Sequence, residues 1–100
     1  QLDTGNAWLG DADILDILER YPGRAGTVHL KPFSPSLAKE DGHAGFRPVI
    51  GDDETPWDDV FRICETTGGT TWYIVEYESD AYEPLDAVDR CLQGLKAMGK

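Results

Sequence analysis

The chain has 100 residues, 40% of them hydrophobic and ten of them Phe, Trp or Tyr, enough for one modest domain and too few for two. Its formal net charge of -10, with only nine scattered Lys and Arg, argues against nucleic acid and anionic membranes as partners, which demand a basic face. No apolar run approaches the roughly 20 residues that cross a bilayer, and the start lacks the basic flank and apolar stretch of a signal peptide.

The first residues, Gln1-Leu2-Asp3-Thr4-Gly5-Asn6, read as the end of a strand passing into a loop. From Asp11 a helix is expected. Ile14, Ile17, Leu18 and Tyr21 follow one apolar stripe, Asp11 and Asp13 suit its start, and Pro22-Gly23 stops it. Gly26 to Lys31 is a short β-branched and apolar run, hence a second strand.

Residues 32–54 carry three prolines and three glycines with no sustained period, and so predict a long loop, of the kind more often functional than idle. A helix follows over 55–69. Thr55 is placed to cap it, Pro56 fits the first helical position, Asp58 completes a capping-box spacing, and Gly68-Gly69 ends it. Its expected buried stripe is Trp57, Val60, Phe61 and Cys64.

The run Thr70 to Glu78 has almost no polar alternation before Glu76, the pattern of a strand covered on both faces. A last helix begins near Pro84, with Leu85, Val88, Leu92 and Leu95 at helical spacing. Cys64 and Cys91 fall in the helical patterns without CxxC spacing, so they are expected as reduced core thiols of a cytoplasmic protein rather than a disulfide or zinc site.

Strands alternating with helices imply βα units and a parallel sheet. In such units all strand C-termini share one rim, which is the ligand-binding face of α/β sheets and barrels. Asp3, His29 and Glu76 would meet there. Each has an alternative: Asp3 as a turn or cap residue, His29 as a hydrogen-bonded core residue, and Glu76 as a paired carboxylate. Glu78 reads as a solvated neighbour. Two carboxylates and an imidazole without thiolates suit Mn²⁺, Mg²⁺, Co²⁺ or Fe²⁺, with Zn²⁺ also admitted.

Taken in order, "LDTGN", "GTVHLKPF", "PVIGDDETPWDDVF", "GGTTWYIVEYES" and "EPLDAVDRCLQGLKAMG" resemble the C-terminal part of sugar phosphate isomerase/epimerase proteins, within the xylose isomerase-like (β/α)₈ TIM barrel superfamily. That superfamily also includes inosose dehydratases, ketose 3-epimerases, hydroxypyruvate isomerases and apurinic endonucleases. The resemblance implies that residues 1–100 are about three of eight βα units of one barrel domain whose N-terminal portion precedes Gln1. It implies one divalent metal, Mn²⁺ first, held by Asp3, His29 and Glu76 and by a first Glu with no counterpart in this chain.

Glu76 would then also be a catalytic acid/base. The implied activity is isomerisation or epimerisation of a sugar, sugar phosphate or polyol-derived ketone through a metal-stabilised enediolate. The alternatives are an inosose-type dehydratase on the same scaffold and a non-catalytic metal-binding or interaction module. The endonuclease branch is disfavoured, because its multi-metal site calls for more histidines than the two present. A homo-oligomer of the full-length protein is compatible with the resemblance.

Two positions depart from the family pattern. Asn6 stands where many members have His, and Pro32 where Asp is common in "HLKD". Asn6, Lys31, Trp8 and Arg47 are candidate substrate contacts. For Lys31 the alternative is an exposed strand-end lysine, and for Trp8 packing on the barrel rim. For Arg47, as for His43 beside it, the alternative is a solvated loop position.

Overall fold

Three short strands run parallel in the order β1–β2–β3 in the computed structural model, which describes residues 1–100. β1 is Leu2–Asp3, β2 is Thr27–Leu30 and β3 is Trp72–Val75. Leu2 pairs with Val28 and Asp3 with His29, while Val28 pairs with Tyr73, His29 with Ile74 and Leu30 with Val75. The molecule is thus mixed α/β with an all-parallel sheet, as the βα alternation predicts.

Register and the two-residue side-chain period assign the two faces. Val28 and Leu30, both fully buried, and the half-buried Tyr73 and Val75 face the helices. Asp3, Thr27, His29, Trp72 and Ile74 face the other way. That second face is open: Trp72 is 69% and Ile74 44% exposed. The expectation that β3 is covered on both faces is therefore corrected, because all the helix packing in this chain falls on the Val28 side.

The N-terminal segment also differs from expectation. No loop follows Asp3; helix α1 (Thr4–Leu9) starts at once, and Asp3 is its N-cap. Helix α2 (Ile14–Arg20) is a separate element, capped by Asp13, whose carboxylate accepts from the Asp16 N–H at 3.1 Å. Asp11 is no cap. It takes a left-handed conformation (φ 67°) in the turn between the two helices. Ile14 and Leu18 enter the core, whereas Tyr21 is 52% exposed.

Residues 32–54 are far from a structureless loop. They contain helix α3 (Pro35–Ala38) and a 3₁₀ turn over Gly42–Phe46, and they bury Phe33, Phe46, Val49 and Ile50. The organising residue is Asp53. One carboxylate oxygen accepts from the Trp57 indole N–H at 2.8 Å and the Gly51 N–H at 3.2 Å; the other accepts from the N–H groups of Phe33 and Thr55. One side chain thereby satisfies four donors that a folded loop would otherwise leave to water.

Helix α4 (Trp57–Ile63) runs into a π-helical turn, Cys64–Gly68, that ends at Gly69 in the left-handed region. Its expected cap is absent. Thr55 is buried, its hydroxyl has no hydrogen-bond partner, and no side chain caps the helix. Asp53 accepts from the Thr55 N–H and the Trp57 indole but from no backbone N–H of α4.

Helix α5 (Pro84–Ala97) buries Ala87, Cys91 and Leu95, so of the expected stripe only Leu95 goes inward. Leu85, Val88 and Leu92 are 80%, 47% and 43% exposed. The reason is a close approach at Gly94, where an added Cβ would collide with the carbonyl of Ile50. The helix therefore approaches on its Gly94 side, which leaves Leu85, Val88 and Leu92 outward. Cys64 and Cys91 are buried and unpaired. No helix is long and apolar enough to cross a membrane.

Asp53→Ala should destabilise the protein by about 2–4 kcal/mol in urea unfolding, since four donors lose their acceptor. Thr55→Val should be neutral or stabilising in the same assay, because the hydroxyl it removes is buried without a partner. A large loss for Thr55→Val would show that the hydroxyl is engaged after all.

Candidate metal centre

At the C-terminal end of the sheet the open face carries a polar cluster. Asp3 ends β1, His29 lies beside it in β2, and Glu76 follows β3, its N–H donating to the Leu30 carbonyl at 3.1 Å. All three are half-buried, and one donor atom from each lies within 4.8 Å of the others. Ligand atoms about 2.1 Å from one ion can be at most about 4.2 Å apart, so small side-chain rotations close this set around a cation. The donor chemistry fits too: two carboxylates and one imidazole, without thiol, suit a hard or borderline divalent ion.

His29 Nδ1 is 3.1 Å from Glu76 Oε2. A carboxylate only accepts, so the imidazole proton belongs on Nδ1, and Nε2 is left with its lone pair. Nε2 receives the side-chain amide of Gln1. Asp3 has both of the roles weighed for it. Its Oδ1 caps α1 by accepting from the Asn6 N–H at 2.8 Å, while its Oδ2 points into the cluster.

Lys31 lies at the centre of this arrangement and is only 2% exposed. Its Nζ is 3.2 Å from Asp3 Oδ2, 3.5 Å from Glu76 Oε1 and 3.2 Å from Glu78 Oε1. It also donates to the Asn6 side-chain oxygen at 3.2 Å and lies 5.7 Å from the Phe46 ring centroid. Burial pulls the ammonium pKa down, but hydrogen bonds to Asp3 and Glu78 and the charges of Asp3 and Glu76 outweigh it, and the net shift is upward. The backbone of Lys31 is fixed as firmly. The Thr4 hydroxyl accepts from its N–H and donates to its carbonyl, both at 3.0 Å.

The structure therefore brings Asp3, Asn6, His29, Lys31 and Glu76 together. Asn6 spends its amide on Asp3 Oδ2 and its oxygen on Lys31. Trp8 is not part of the cluster. It packs on Phe33 with ring centroids 6.0 Å apart and lines a groove with Asp11, Asp13 and Pro56. Arg47 is exposed and lines a neighbouring cleft of about 320 Å³ with Asp41, His43, Glu78 and Asp80. Glu78 was expected to be a solvated neighbour, and instead it is an ion-pair partner of Lys31. The signal for it was present: Glu76 and Glu78 are two apart, so both side chains of an extended segment project to one face.

The chain is similar to inosose dehydratases. It is 34% identical to the Klebsiella pneumoniae enzyme over a 91-residue alignment taking in 78% of this chain and 30% of that protein. The corresponding identity is 31% for the Erwinia tasmaniensis enzyme over the same shares. It is 28% for the Bacillus licheniformis enzyme, with 29% of that protein covered. The chain thus spans about 30% of the length of the curated relatives it matches. No protein-family profile matches it. No solved structure matches it with significance. The relatives carry the name of one enzyme in the barrel superfamily that the sequence resembles, and not that of the isomerase/epimerase branch.

Gly5 is where α1 passes closest to the site. A Cβ there would meet Lys31 Cγ at 2.8 Å and the Lys31 carbonyl at 2.9 Å. Gly5→Ala should therefore destabilise the protein by about 1–3 kcal/mol. Gly10→Ala, whose Cβ would make ordinary contacts at 3.5 and 3.6 Å, serves as the control and should change little. Chemical unfolding of the two variants side by side checks this; equal effects would mean that α1 can shift away from β2 freely.

Proposed function

We propose that the protein carrying this chain is a divalent-metal-dependent dehydratase acting on a polyol-derived ketone of the inosose type. The observation that carries this reading is the convergence of Asp3, His29 and Glu76 at three parallel strand ends, in a chain similar to inosose dehydratases. Isomerisation or epimerisation of a sugar uses the same kind of site and stands second, because the named relatives favour dehydration.

The surroundings favour an uncharged substrate over a sugar phosphate. Lys31 has its donors engaged by four acceptors, and Arg47 shares its cleft with three carboxylates, Asp41, Glu78 and Asp80. Neither is a free cation for a phosphate group. A polyol, by contrast, offers hydroxyls to acidic and amide side chains alike.

Asp3, His29 and Glu76 would hold the metal, with Mn²⁺ the first choice for this donor set. When bound, a divalent ion supplies charge stabilisation at a ketone oxygen and orients adjacent hydroxyls. Glu76 is the acid/base group: its carboxylate takes the proton from the carbon next to the ketone. The C–H electron pair becomes the new C=C bond as hydroxide leaves the neighbouring carbon, and with one proton it departs as water. His29 rests against Glu76 through Nδ1, which leaves Nε2 as the nitrogen with the lone pair.

The test is to supply the metal-loaded protein with an inosose and follow loss of one water by mass spectrometry. Glu76→Gln should lower turnover by about a hundredfold or more, and Asp3→Asn or His29→Gln should weaken Mn²⁺ binding by about tenfold or more. A product of unchanged mass with a rearranged or inverted carbon would replace dehydration by the isomerase/epimerase reading. Mn²⁺ binding indifferent to all three substitutions would remove the site itself.

A further inference from the structure

Lys31 is engaged by the protein itself rather than free for a substrate. Three N–H donors face four acceptors, two on metal-ligand candidates (Asp3 Oδ2, Glu76 Oε1) and two on neighbours (Asn6 Oδ1, Glu78 Oε1). The side chain is 2% exposed, and the Phe46 ring lies 5.7 Å from the ammonium. A group so enclosed has no donor left for a ligand. We propose that Lys31 is a built-in counter-cation of the metal centre, holding the place of the divalent ion when none is bound and competing with it for Asp3 and Glu76. This inference rests on the metal site proposed above.

The electrostatic logic has two sides. Asp3, Glu76 and Glu78 would repel one another without a positive charge among them, so the ammonium keeps the metal-free site assembled. The same ammonium repels an incoming divalent ion at ion-pair distance, in a pocket where that repulsion is stronger than in water. Glu78 and Asn6 resolve the conflict. They are acceptors outside the candidate ligand set, and they can retain the ammonium when Asp3 and Glu76 turn to the metal. Glu78 is the stronger of the two because it is charged. Metal affinity is then set by the balance of Lys31 between its two pairs of partners.

The test measures Mn²⁺ affinity from the electron paramagnetic resonance signal of the free ion, in the unmodified protein, Lys31→Met, Glu78→Gln and the double variant. Lys31→Met should bind Mn²⁺ about tenfold tighter or more, while its metal-free unfolding midpoint falls and is restored by Mn²⁺. Glu78→Gln should bind about threefold to tenfold more weakly, and that loss should vanish when Lys31 is also replaced.

Weaker or unchanged binding in Lys31→Met would overturn the proposal, as would an equal Glu78→Gln effect in both backgrounds. Lys31→Gln, which removes the charge but keeps an amide donor, substitutes for Lys31→Met if the latter does not fold. Asp3→Asn separates the two levels of inference. If it abolishes Mn²⁺ binding while Lys31→Met does not tighten it, the counter-cation role alone fails. If it leaves binding intact, the metal site fails as well.

Discussion

Parallel register is the constraint on which the rest of this structure depends. Because β1, β2 and β3 point the same way and pair in step, Asp3 lies beside His29, and Glu76 follows one residue beyond the Val75–Leu30 pair. The pleat then sends all three side chains to the face opposite Val28 and Leu30. A slip of one residue in β2 would exchange His29 for a buried aliphatic and destroy both core and cluster. The hydrophobic side of the sheet therefore protects the geometry of the polar side. Burying Val28 and Leu30 stabilises each position by roughly 1.5–3 kcal/mol, and that energy is available only in the register that also assembles the site.

Crowding carboxylates at one rim raises a second problem, which Lys31 answers. An ammonium withdrawn from water is costly unless it is paired, and here it is surrounded by acceptors. Thr4 grips the Lys31 backbone from the first turn of α1, and the aromatic sequence Trp8–Phe33–Phe46 backs the ammonium. Residues 32–54 contribute through this aromatic wall. Their fold, organised by Asp53, is thus coupled to the electrostatics of the rim. The resulting site pairs one buried ammonium with three carboxylates.

Two apolar surfaces remain uncovered by this chain: the sheet face around Trp72 and Ile74, and the Leu85–Val88–Leu92 side of α5. Parallel sheets are normally covered on both faces, and closure into a barrel buries the inner one. Both surfaces flank β3, an edge strand here. The polar cluster lies at the upper end of the same inner face, as ligand sites of closed α/β barrels do.

Much of this was legible in the residues. The βα alternation, the parallel sheet and the three strand-end residues follow from period and position, because burial of a repeating pattern leaves a repeating signature. The stop signals at Pro22-Gly23 and Gly68-Gly69 worked for the same local reason. Less was legible wherever a partner distant in sequence decided the outcome. Thr55 does not cap α4, and Leu85, Val88 and Leu92 of α5 turn outward where Gly94 meets Ile50. Lys31 became the buried centre of an ion-pair network spanning residues 3 to 78. Sequence by itself determined which elements form and which chemical groups end each strand, since these depend on local backbone and pattern. Only the tertiary structure decided who pairs with whom, because charge pairing and close approach are set by distances through space that no spacing along the chain encodes.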